Sequence, residues 1–480
     1  MKKTYKYIIL FLLLVAGSMS CTNKLDIDPQ QSVGEDIIIK SSDGVINLLY
    51  GAYSGIKGTL GANEGGELYG GDFNFFCELL AADGELDFIG TFGTMRDLQD
   101  KQVVANSILV TGNWVRAYDV INMLNLVLAN IDIVTSDEQD RVEGEALALR
   151  GMLYFDMVRC WGLPYENGVT NSQPGIPVRL APTSSADDAI FVARSSVEDV
   201  YDRVLTDLIL AETLLTPSGT NSINMSTYSV SAVLSRVYLQ MGNYANAIQS
   251  ANRVIESGEY ALVSSPLQGF NNSTNTSEDI FAIQQSGTSN AGMSNEGLAT
   301  FYASLNGAGR GDIAILPPFT ALFESGDLRI EVDSNLTDAD TYTSLTTMLY
   351  IGVFTQNNGW TNTSKWGKGD LNIPIVRLAE MYLTRAEANF VEGTSVGATP
   401  LEDINIIRIR AGLAPLVAVD LDIIKKERHL ELAWEGFTLH DIKRWQENVD
   451  TYTYDAPELI LPIPQREIDI NPEMVQNEGY

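Results

Sequence analysis

The sequence predicts a mostly α fold: a tetratricopeptide-like scaffold of helical pairs with a loop-rich ligand face and small β elements. Three observations carry this. In "YSVSAVLSRVYLQMGNYANAIQSANRVIESGEY", Tyr228 to Tyr260, the residues Leu234, Ser235, Tyr238, Gly242, Ala247, Ala251 and Val254 fall at the offsets of a tetratricopeptide unit. Their small side chains let two antiparallel helices approach closely. Val142, Ala146, Leu149, Leu153, Met157 and Cys160 recur at spacings of three and four, which defines one buried helix face. Between 261 and 373 that period lapses into Asn, Ser, Thr and Gly with scattered aromatics, the composition of functional loops or short β elements.

The chain opens with a targeting segment. Lys2, Lys3 and Lys6 precede an apolar run from Ile8 to Gly17 and the small residues Ser18 and Ser20, which reads as a signal peptide over 1–20. The run is too short to span a bilayer, which takes about 20 residues. Cleavage before Cys21 leaves two routes open: release of a soluble protein, or lipidation of the Cys21 thiol. Ser20 fits a lipoprotein motif, whereas Ser18 and Met19 depart from it. Residues 21–40 then form a polar tether.

Helices are expected over 43–57, 114–131, 142–160 and 196–215, with Gly162 and Pro164 ending the third. "RLAEMYLTRAEANFVEG", Arg377 to Gly393, repeats the first-helix pattern with Leu378, Ala379 and Tyr382, and Pro374 is expected in that helix's first turn. Because such units need about three neighbours to bury their faces, these helices are candidates for degenerate pairs. The resulting expectation is one domain over 41–480, with helical repeats at about 41–260 and 374–445 and the ligand-face loops at 261–373.

Composition narrows the function. The 480 residues are 45% hydrophobic, enough for a large core. Removing residues 1–20 takes away three lysines and no acid, moving the net charge from −31 to −34. Nucleic acid is therefore not an expected partner, since phosphate binding needs clustered Lys and Arg. Cys77 and Cys160 are not brought together by anything in the sequence, and Cys160 sits on an apolar helix face as a small hydrophobe.

Three motifs resemble chemical sites. Glu427, Glu431 and Glu435 are spaced by one helical turn, whereas glycosidases set two carboxylates about 5 to 10 Å apart across a cleft. With Arg428 and Arg444 nearby, a structural ion-pair network is the expected reading. His429 and His440 would lie about 16 Å apart on a continuous helix at 1.5 Å per residue, too far to share a metal, and no metal or other cofactor is expected. "GAGRG", Gly307 to Gly311, lacks the strand and helix that make a phosphate loop.

Sugar binding needs exposed aromatic faces with Asn, Asp or Arg for the hydroxyls. "GGDFNFF", Gly70 to Phe76, and "ELDFIGTFGTM", Glu85 to Met95, supply Phe73, Phe75, Phe88 and Phe92 beside Asp72, Asn74 and Asp87. Phe73 to Phe76 also read as a packed edge strand. "FTQNNGWTNTSKW", Phe354 to Trp366, supplies Trp360 among amides, while Trp366 is expected to pack on the scaffold.

Several ordered motifs resemble the SusD/RagB family. They are "EALALRGMLYFDMVRCWGLPY" (145–165), "PPFTALFESGDLRI" (317–330), "IPIVRLAEMYLTRAEA" (373–388), "INIIRIRAGL" (404–413), "ERHLELAWEGFTLHDIKRW" (427–445) and the closing "LPIPQREIDINPEMVQNEGY" (461–480). The resemblance implies a surface-exposed outer-membrane lipoprotein, lipidated at Cys21 and held to the membrane by that anchor. It implies a non-enzymatic binder that passes an oligosaccharide, or in some branches a peptide, to a SusC-like TonB-dependent transporter. It points to Phe88, Phe92, Tyr302 and Trp360 as ligand aromatics, joining Asp72 and Asn74 from the reading above. A peptide ligand and a secreted glycoside hydrolase stand as the alternatives.

Overall fold

The scaffold begins at α1 (Ser42–Gly55), where the Ser41 side chain accepts the Gly44 amide at 3.1 Å and so satisfies one of the unpaired amides of the first turn. In the computed structural model the described residues are 39–58, 66–184, 190–219, 223–291, 297–353 and 359–480. The signal peptide, Cys21 and most of the tether lie outside them, as do Asn357 and Asn358 beside Trp360.

The chain continues through α2 (Asp72–Leu80), α3 (Gly93–Gln99), α4 (Ile108–Ala129), α5 (Gln139–Trp161), α6 (Val197–Leu214), α7 (Thr227–Gln240) and α8 (Tyr244–Glu256). Each successive helix from α4 to α8 packs on the one before, and α1 packs on α4. The array then passes to α11 (Leu378–Glu392), which packs on α8 and carries α12 (Pro400–Arg410) and α13 (Leu421–Leu432). This is the expected array of helical pairs. Glycines set its tightest contact: a Cβ at Gly144 would lie 2.7 Å from Leu215 Cγ, and one at Gly151 would lie 2.9 Å from Leu208 Cγ. Capping boxes at Ser226–Ser229 and Thr399–Glu402 fix two starts, and left-handed Gly393 ends α11.

The loop-rich region between α8 and α11 builds small sheets. A five-stranded sheet has the order β1 (Leu86–Phe88), β3 (Ile313–Ile315), β6 (Thr361–Thr363), β5 (Leu349–Ile351), β4 (Val332–Asp333), antiparallel except for the β4–β5 pair. β2 (Asp279–Ile283) pairs with β7 (Ile373–Arg377). Two single-turn helices, α9 (Leu298–Tyr302) and α10 (Pro317–Thr320), flank β3. Beyond α13 come α14 (Thr438–Trp445) and α15 (Gln465–Ile470).

Two sequence expectations are corrected here. Phe73 to Phe76 belong to helix α2, not to an edge strand; eight of its nine residues are buried, so no polar face betrays the helical period. Pro374 lies in β7 opposite Ala282, and the helix starts only at Leu378. Proline has no amide to donate and is tolerated near the start of a strand.

Candidate functional site

The sheet is bolted to the scaffold by buried charge. Arg377, the last residue of β7, meets Glu278 at 2.5 Å and Glu435 at 2.7 Å. Lys365, two residues past β6, donates to Glu435 at 2.6 Å and to the Glu431 and Ala433 carbonyls at 2.9 and 2.8 Å. Arg329 pairs with Asp327 at 2.7 Å and Glu427 at 2.9 Å, Arg408 pairs with Glu427 at 2.5 Å, and Arg410 pairs with Glu431. The ion-pair reading of Glu427, Glu431 and Glu435 is what the structure shows, but with other cations than expected. Arg428 instead pairs with Asp441, and Arg444 with Asp441 and Glu387.

Burial raises the Glu431 carboxyl, yet Arg410, Arg377, Arg329 and Lys365 outweigh it and hold the group at about 2. The helix carrying Glu427 and Glu431 ends at Leu432, short of Glu435, and Trp434 takes a left-handed backbone (φ 61°). His429 and His440 therefore sit on two helices. His429 meets Glu85 at 2.8 Å, whereas His440 is buried, and desolvation with Arg159, Lys443 and Arg236 nearby lowers it well below the usual range. Cys77 and Cys160 are both free and buried.

An aromatic cluster lies beside β1. The Phe301 ring packs 5.0 Å from Phe75, 5.9 Å from Phe88 and 6.1 Å from Phe92. Two arginines lie over it: Arg310 is 5.2 Å from the Phe301 centroid and Arg96 is 5.6 Å from that of Phe88. Each guanidinium has an acid beside it, Asp312 at 2.8 Å and Asp87 at 3.6 Å. Gly90 makes room for Asp312, whose Cγ would be 2.6 Å from a Cβ there. The surface at this end of the sheet thus combines a half-buried Phe92 with two partly exposed arginines and the Asp87 carboxylate, while Asp312 is buried beneath Arg310.

The six expected ligand residues divide. Trp360 is 43% exposed and sits at the β5–β6 hairpin, its carbonyl accepting from Gly352 N at 2.8 Å. Phe92 reaches the surface in part. Phe88 and Tyr302 are fully buried and Asp72 is 1% exposed, so a ligand-facing role for these three is corrected. Asp72 accepts from Asn113 at 2.6 Å. Asn74 donates to the Trp434 carbonyl at 2.6 Å and accepts from the Tyr302 hydroxyl at 3.0 Å, a stitch between α2, α9 and the turn after α13. These polar groups are spent inside the fold.

The sheet register does not bring Trp360 and Phe92 to one spot. Thr361 pairs with Ile315 and Ile315 with Leu86, so Trp360 stands at the Glu85 end, while Phe92 follows β1 at the other. The four steps from Glu85 to Ile89 span roughly 13 Å at ~3.3 Å each. Sequence reasoning missed Arg96 and Arg310, since nothing in "GAGRG" or in α3 marks a guanidinium that will lie over a distant ring.

Residues 321–459 match the model of the SusD family, and residues 88–239 match a second model described as "Starch-binding associating with outer membrane". The chain is a SusD-like protein. The first span contains the "INIIRIRAGL" and "ERHLELAWEGFTLHDIKRW" motifs, and the second contains α4 to α6. SusD-like protein P38 of Formosa agariphila is 25% identical over the full length of both chains. A crystal structure of a SusD superfamily protein from Bacteroides thetaiotaomicron superposes with a TM-score of 0.77 at 25% identity, covering 91% of this chain and 99% of the other. The starch-binding protein SusD of B. thetaiotaomicron is 34% identical over 125 residues, 23% of this chain and 22% of its own. The mostly helical fold with few small strands is that of these SusD superfamily structures.

Proposed function

We propose that this SusD-like protein binds an oligosaccharide on the face formed by its small sheet and passes it on unbroken. The carrying observation is Trp360, a tryptophan 43% exposed just before β6 in the loop-rich region. An exposed ring of that kind gains little for folding and suits a pyranose face. Phe92 with the partly exposed Arg96, Asp87 and Arg310 side chains supplies a second aromatic edge with donors and an acceptor for hydroxyls, and the two stations suit an extended chain. The likeness to the starch-binding protein SusD supports the ligand class.

Binding without cleavage is favoured because Glu427, Glu431 and Glu435 are each held by buried cations, leaving no pair of acids across an open cleft there. In this reading residues 41–480 act as one domain tethered by 21–40 to a lipid on Cys21. The protein sits on the outer membrane facing outward and hands its glycan to a SusC-like TonB-dependent transporter. The family description "associating with outer membrane" supports that location. Isothermal titration against neutral oligosaccharides, with product analysis of the same mixtures, tests the reading: heat without new products supports it, and new products contradict it.

A further inference from the structure

A second cleft, of about 340 Å³, opens on another part of the molecule, between α4, the loop that follows α5 and the C-terminal residues around α15. None of its lining residues belongs to the five-stranded sheet or to the loops bearing Phe92, Arg310 and Trp360. Trp114 and Tyr118 of α4 lie on its inner wall with ring centroids 5.0 Å apart.

The walls are fixed by polar groups already in use. Asn122 exchanges two hydrogen bonds with the Thr183 backbone at 2.9 and 2.8 Å, Asn125 donates to the Arg179 carbonyl at 2.9 Å, and the Tyr118 hydroxyl donates to the Pro177 carbonyl at 2.7 Å. Three lining side chains keep capacity to spare. The nearest cation to Asp119 is Arg116 at 3.9 Å, and that carboxylate is 54% exposed. Glu467 has its neighbour Arg466 at 3.3 Å, and more than half of the Arg466 side chain is exposed.

The charges decide the ligand class. A cation would meet Arg179 and Arg466, and an anion would meet Asp119 and Glu467. Because Arg466 lies against Glu467 and also acts on Asp119, the cleft has no separated poles for a zwitterion. A polyol presents donors and acceptors together with no net charge, which matches acids and guanidiniums interleaved in a pocket of small-ligand size. We infer that this cleft is a second saccharide site, with Asp119, Glu467 and Arg466 on the hydroxyls. The ligand class rests on the function proposed above; the site does not coincide with the one proposed there.

The test titrates the intact protein with neutral malto-, xylo-, manno- and galacto-hexaoses, alongside an Asp119→Asn/Glu467→Gln double variant and Trp360→Ala. Both altered acids are partly exposed, so the double variant is expected to melt within about 2 °C of the wild type. The expected result is two binding events for the recognised glycan. The double variant weakens one at least tenfold and leaves the other, and Trp360→Ala does the converse. A single event untouched by the double variant overturns the second site alone. No binding of any glycan by the wild type overturns both readings.

Discussion

The Lys365 ammonium lies 2.6 Å from Glu435 Oε1, with both side chains at most 5% exposed. This contact joins the strand that follows Trp360 to the turn after α13, so the five-stranded sheet is held to the helical array by a buried ion pair. Removing one partner of such a pair leaves a charge uncompensated, at a cost of about 3–5 kcal/mol. Since Glu435 keeps Arg377 as a partner, Lys365→Met is expected to destabilise by about 3 kcal/mol. Urea unfolding measures this.

The same network sets an acid limit. Glu431 is held at about 2, below its ordinary 4.5. A depressed carboxyl contributes stability that is complete above its unfolded value and lost as pH falls through the folded one. The stability gap between the wild type and Glu431→Gln should be constant above about pH 5 and narrow between 4.5 and 2. Urea midpoints at stepped pH give the gap directly.

Lys443 works in the opposite sense. Burial lowers it to about 8, and its ammonium donates to the Leu459 carbonyl at 2.6 Å. Below pH 8 both folded and unfolded states carry the proton and the cost of burying the charge is at its fullest. Between 8 and 10.5 only the unfolded state holds it, so stability rises with pH. Lys443→Met should remove this rise. Equal slopes for variant and wild type over that window would refute the assignment.

Gly151 lets α5 and α6 touch. An added Cβ would meet Leu208 Cγ at 2.9 Å and Asp207 Cβ at 3.3 Å. Gly151→Val is expected to cost about 1–3 kcal/mol through overpacking, whereas the same change at Gly258, where nothing lies within 4 Å, tests only the strain of its positive φ. Thermal melts of the two variants separate crowding from backbone strain.

Helices α4, α6 and α8 keep a wet face, and the three-and-four spacing that burial on one side imposes made them legible in the sequence, whereas α5 and α7, buried on most sides, were legible from the run Val142 to Cys160 and the repeat offsets. Helix α2 was not, being buried almost all round, and β4 to β6, at two or three residues, are too short to show alternation. At the site, residue type pointed to Trp360, and that side chain is 43% exposed. Residue type failed for Phe88 and Tyr302, because their burial depends on Phe301 and Phe75, contributed from distant segments. Arg96 and Arg310 were invisible for the same reason: their meaning comes from rings they meet only in the fold.

The most direct test of glycan capture at the sheet face is isothermal titration of the recognised neutral oligosaccharide into the wild type and Trp360→Ala, with melting curves of both. The expected result is at least tenfold weaker binding in the sheet-face event, with a melting temperature within about 1 °C, since an exposed ring contributes little to stability. Unchanged affinity, or a loss of affinity matched by a large fall in melting temperature, would contradict it.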